Sequence, residues 1–141
     1  MSAYDKSYLD SMLQKNRYLF RLIGRNCENP FQIITEYMKG KDRKHMDEGN
    51  PLYLNKTPKQ ILGGLGIRLE AENHTGSYDE FILDWMADIY TYLQWEYEIF
   101  SEELVEKITP GELYKKYYPL HETSIENGAR KLMKIFYNAE R

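Results

Sequence analysis

The 141 residues carry a single cysteine, Cys27, so no disulfide can close within the chain. Its ordinary role is a small, partly buried hydrophobe. A catalytic thiol would need a histidine brought beside it by the fold, and no local pattern supplies one. A lone cysteine with no signal-peptide pattern points to a reducing, cytoplasmic setting. No apolar run approaches the roughly 18 residues of a membrane span. A large charge of one sign is also lacking. The net charge of −3 neither argues for nucleic acid nor excludes it. Low-complexity tracts, fixed-period repeats and linkers are absent too, so residues 1–141 are expected to form one domain. A chain of this length buries roughly two thirds of its unfolded surface without staples.

What is present is unevenly placed. Residues 1–60 hold 11 Lys/Arg against 7 Asp/Glu, residues 61–107 hold 2 against 11, and residues 108–141 hold 6 against 4. The acidic middle block suits either a solvated helix face or a basic partner. Thirteen tyrosines and two tryptophans accompany it. Tyrosine joins a large apolar body to a polar tip, which fits half-buried core edges and protein interfaces alike.

Periodicity is helical nearly throughout. Tyr8, Leu9, Met12, Leu13, Leu19, Phe20 and Ile23 share one arc of a helix over about 8–25, with Arg17, Arg21 and Arg25 along its opposite side. Asn29-Pro30 with Gln32 signals a second start, and Ile33, Ile34, Tyr37 and Met38 form its stripe. The charged stretch 40–50 reads as a fraying end and loop. Thr57-Pro58 with Gln60 opens a short helix weakened by Gly63, Gly64 and Gly66, and alternation over Ile67 to Glu72 admits a short strand near 67–71. Ser77 with Glu80 is a capping box for the strongest helix, about 78–100, whose arc takes in Phe81, Ile82, Trp85, Met86, Ile89, Tyr92, Leu93, Ile99 and Phe100. Ser101 is expected to cap a short helix, Thr109-Pro110 with Glu112 another, and Thr123 with Glu126 the last. The expected fold is an all-α bundle of about six helices around the segment 78–100.

Two polar residues fall where the arcs want apolar ones. Asn16 lies within the first arc and Glu96 within the central one. A buried carboxylate must be paired, hydrogen-bonded or protonated. Glu96 is therefore expected either to meet Asn16, His121 or a tyrosine hydroxyl, or to reach past the helix end to water.

Chemistry-bearing motifs are weak. Asp84 and Asp88 stand one turn apart and could share a divalent cation, but no Glu-x-x-His accompanies them, and His121-Glu122 lacks a second histidine. No metal or cofactor is expected. Gly63-Gly64-Leu65-Gly66 is followed by no Lys-Ser/Thr and is not a phosphate loop. Arg68 and His74 are separated by five residues. This Arg-x5-His spacing resembles the motif of HEPN-type ribonucleases, which are small all-helical proteins. That resemblance implies a histidine and an arginine acting on the scissile phosphate and the 2′-hydroxyl. It covers two residues, and Leu69 stands where the family often has a polar residue. The arginines 17, 21 and 25 could bind phosphate, but no aromatics interleave with them. Residues 101–138 could form a helix-turn-helix with Arg130, Lys131 and Lys134 on its last helix. The strongly acidic block before it and the lack of a basic arm weigh against DNA.

With no strong catalytic constellation, the sequence favours a non-enzymatic interaction protein, such as a regulator, inhibitor or antitoxin-like partner. Its expected contact face bears Asp84, Asp88, Tyr90, Tyr97 and Glu98, and its expected partner is another protein of basic character. A homodimer is compatible with the same features. A helical ribonuclease using Arg68 and His74 is the second reading, and duplex binding through the C-terminal helices the third.

Overall fold

A computed structural model describes residues 2–67 and 78–138. It is 76% helical, with ten helices and no strand among the described residues. A 3-10 turn, Lys6–Tyr8, leads into α1 (Leu9–Asn26). Then come α2 (Pro30–Lys39), α3 (Lys41–Asp47), α4 (Pro51–Leu54) and α5 (Pro58–Gly64). The second half holds α6 (Glu80–Tyr97), α7 (Ser101–Lys107), α8 (Pro110–Lys115), α9 (Tyr117–Leu120) and α10 (Ile125–Tyr137).

Local chemistry sets most of these boundaries. Proline occupies the first turn of α2, α4, α5 and α8, where its missing N–H costs nothing. Thr57 and Gln60 form a complete capping box on α5. Thr109 caps α8 by accepting from the Glu112 N–H.

Several expectations are corrected. The stretch 40–50 is not a loop, because α3 forms there and buries Arg43, Met46 and Asp47. The cap of α6 is Asp79, whose side chain accepts from the Phe81 N–H, while Ser77 lies outside the described residues. That helix stops at Tyr97 because Glu98 turns left-handed, with φ 54°, so Ile99 and Phe100, expected on its inward arc, lie beyond it, and Phe100 is exposed. Ser101 is the first residue of α7 rather than its cap, and Ser124 rather than Thr123 caps α10. Ile67 has no regular structure, and the remainder of the expected strand, residues 68–71, lies outside the described residues.

The central position of α6 is as expected: it packs against α1, α7, α8, α9 and α10. Leu83, Met86, Ile89 and Leu93 from α6 join Leu19, Phe20 and Ile23 from α1 in one buried cluster. Each such side chain contributes about 1.5–3 kcal/mol when taken from water. Gly24 lets the two helices approach closely, since a Cβ there would stand 2.7 Å from Leu83 Cδ1. No described helix is long and apolar enough to cross a membrane.

Candidate functional site

The arginine stripe and the acidic residues of α6 face each other. Arg17 pairs with Asp88 at 2.5 Å, Arg21 with Asp84 at 2.9 Å and Arg25 with Glu80 at 2.6 Å. Both sets are spaced by four, and one rises as the other falls, so the two helices run antiparallel with their charges in register. Arg25 grips Glu80 with two nitrogens, and these bonds hold the carboxyl below its usual range. Burial raises the Asp84 and Asp88 carboxyls against the pull of Arg21 and Arg17.

This arrangement alters the expected contact face. Asp84 and Asp88 are engaged by α1 rather than free. Tyr90 is buried, and its hydroxyl donates to the Ile108 carbonyl, so it cannot meet a partner. Tyr97 is half-buried and Glu98 exposed. The five residues thus form no common surface. Arg68 and His74 both lie outside the described residues. No group of three potential ligands able to hold a metal occurs among the described residues.

Asn16 is buried, as its place on the arc requires, and is held at both ends of its amide. It donates to Thr91 Oγ1 at 2.8 Å and accepts from the Tyr37 hydroxyl at 2.7 Å. Tyr37 in turn accepts from Arg43 Nη1 at 3.2 Å. Arg43 is 1% exposed and pairs with Asp47 at 3.1 Å. Ser101 completes the network, accepting from Arg43 Nε at 2.7 Å and donating its backbone N–H to Asp47 Oδ2 at 2.6 Å. Burial opposes the charge on Arg43, but the Asp47 carboxylate and the bond to the Tyr37 hydroxyl favour it, while burial raises the Asp47 carboxyl against the pull of Arg43 and Ser101. Sequence reasoning missed this pair because charges four apart on a short segment look solvated. The available signal was Met46, an apolar residue between them.

Glu96 is half-buried and takes one bond, from the Tyr92 hydroxyl at 3.2 Å. It lies at the rim of a cleft rather than inside the bundle.

The two most exposed aromatic side chains among the described residues are Phe81 at the start of α6 and Tyr118 in α9. Phe81 is 77% exposed and Tyr118 71% exposed. Phe81 was expected on the inward arc. At about 100° per residue its azimuth is that of Asp88 and Tyr92, on the edge of the buried face. Its aromatic neighbours along the chain on either side are engaged in ring contacts. Tyr78 meets Tyr114 at 5.2 Å and stacks on Phe31 at 4.4 Å. One turn beyond Phe81, Trp85 meets Tyr117 at 5.7 Å. Tyr117 then stacks on His121 at 4.2 Å and abuts Tyr118 at 5.3 Å. The Asp79 N–H donates to the Tyr114 hydroxyl at 3.1 Å, tying α8 to the start of α6. The rings thus form two clusters, Phe31, Tyr78 and Tyr114 at the start of α6 and Trp85, Tyr117, Tyr118 and His121 one turn on, with Phe81 between them in sequence.

Comparison with protein-family models, curated proteins and solved structures returns no match.

Proposed function

We propose that the chain is a non-enzymatic interaction module, of the regulator, inhibitor or antitoxin-like kind, that docks a partner protein on the aromatic surface of α6, α8 and α9. The observation that carries this reading is the exposure of Phe81, which lies in the chain between residues held in ring contacts, and of Tyr118, which sits edge-on to Tyr117 and His121. Large aromatic side chains left in water are the usual anchors of protein interfaces. The partner presents apolar side chains with basic neighbours. Beside this surface, Asp79 at the start of α6 and Glu122 next to His121 are exposed and make no ion pair with another described residue, which suits basic groups on the partner. A reducing, cytoplasmic setting fits Cys27, whose thiol burial pushes upward and away from reactivity.

The test compares three baits in affinity capture from the native host: wild type, Phe81→Ser with Tyr118→Ser, and Leu52→Ser. Leu52 is as exposed as Phe81 but belongs to α4. A basic partner kept by wild type and Leu52→Ser, and lost by about tenfold or more in the double variant, supports the reading. The same proteins on all three baits, or none above background, defeats it. A dimer of this chain that dissociates on the same double substitution replaces the foreign partner by a second copy.

A further inference from the structure

A cleft of about 390 Å³ opens between the start of α1, the later turns of α6 and the first turn of α10. That volume is in the range of small-molecule sites. Leu9, Leu13 and Ile125 give it aliphatic walls. Tyr92 and Trp95 form an aromatic corner, with centroids 6.1 Å apart and planes inclined by 50°. The indole cannot swing away, because its Nε1 donates to the Tyr4 carbonyl at 2.7 Å. The Trp95 carbonyl accepts from the Ala3 N–H at 2.9 Å, so the backbone is tied as well. The corner is therefore formed before any ligand arrives, and binding does not have to order it.

The charge of this cleft is specific. Arg17 and Asp88 satisfy each other at one end. Asp10, Glu96 and Glu126 are left against Lys6, an excess of two negative charges. Glu96 and Glu126 come from different helices and act on one phenol. Tyr92 donates to Glu96, and burial together with these carboxylates pushes the hydroxyl up to about 12, so it stays a donor. Neither carboxylate makes an ion pair with another described residue.

Carboxylates over aromatic and aliphatic carbon suit an organic ammonium better than a bare metal ion. Calcium wants six to eight oxygen ligands at about 2.3–2.6 Å, and these walls are largely carbon. An alkylammonium gains charge attraction, a ring face for its cation and carbon contact for its methylenes. Two negative charges call for two positive ones on the ligand.

We propose that this cleft binds a short aliphatic polyamine, with one ammonium between Glu96 and Glu126 beside Tyr92, the methylenes over Trp95 and Leu9, and the second ammonium toward Asp10. The site accounts for Glu96, a carboxylate on an arc otherwise made of apolar residues. It is independent of the partner surface around Phe81 and Tyr118.

The full chain is titrated with 1,4-diaminobutane and with spermidine at constant ionic strength, by calorimetry and by the Trp95 indole N–H resonance. Saturable binding that shifts this resonance is expected, with no response to 1,4-butanediol. Glu126→Gln, an exposed change that spares the fold, should weaken binding by about fivefold, the size of one half-exposed ion pair, and Glu96→Gln by as much. Nα-acetyl-lysine amide, with one ammonium, should bind about fivefold more weakly than the diamine. The proposal fails if magnesium chloride at matched ionic strength gives the same shift, or if Glu126→Gln binds as wild type. It also fails if the lysine amide equals the diamine, which would assign the cleft to a protein lysine. The Phe81→Ser, Tyr118→Ser variant should bind diamine normally, so loss of the partner surface and loss of this site are read separately.

Discussion

Arg43 and Asp47 lie one turn apart on a short helix, and both are buried. Two charges taken out of water are tolerable only because each sees the other and Ser101 supplies further bonds to both. Breaking the pair from one side leaves a bare charge. Asp47→Asn should therefore cost about 3–5 kcal/mol in urea unfolding, while Arg43→Met combined with Asp47→Leu should recover most of that loss. A cost below about 1 kcal/mol for the single change would mean that the pair is not ionised. Lys15 offers a second residue-scale test. Its ammonium donates to the Leu54 carbonyl, and burial, with Arg43 adding to it, pulls its pKa down from 10.5 to about 8. The unfolded chain then binds more protons than the folded one between those values, so stability rises with pH across that window. From pH 7 to 9.5 the wild type should gain about 1 kcal/mol relative to Lys15→Met, a figure reduced from the full shift because the group is only half-buried. Equal pH profiles for the two proteins would remove Lys15 as the cause.

At the scale of elements, the ladder between α1 and α6 fixes the register of the largest helix pair. Reversing one rung with Arg21→Glu sets two carboxylates face to face and should destabilise by about 1 kcal/mol, less at high salt because the rung is partly exposed. Adding Asp84→Arg should restore stability, and failure of that rescue would show that the rung does not depend on opposite charge. Much at this scale was legible. The capping box at Thr57, the prolines at helix starts and the two apolar arcs follow from nearest-neighbour chemistry. Both charge rows of the ladder were visible as spacings of four, but their meeting was not, because it depends on which helix lies beside which. Helix α3 was hidden for the opposite reason: its inward face is charged, and a polar residue inside looks the same in sequence as one outside. Phe81 shows the limit of the helical wheel. It sits on the boundary of the arc, where neighbouring helices decide whether a ring is covered.

Across the whole molecule the charge segregation read from the sequence is real, but much of it is spent internally. The basic first third lends Arg17, Arg21, Arg25 and Lys39 to carboxylates of the acidic middle. What reaches the surface is a smaller excess of acid and a few exposed rings, Phe81 and Tyr118 foremost, that composition hinted at through its tyrosines without locating. The same long-range pairing has a temporal consequence. Residues joined in the ladder lie as far as 71 positions apart, and Tyr4 meets Trp95 across 91. At roughly 5–20 residues per second, a newly made α1 must wait several seconds on the ribosome before its partner helix is synthesised. Throughout that interval its apolar side stays open to whatever else is in the cell, so the first third of this chain is where a chaperone would be needed.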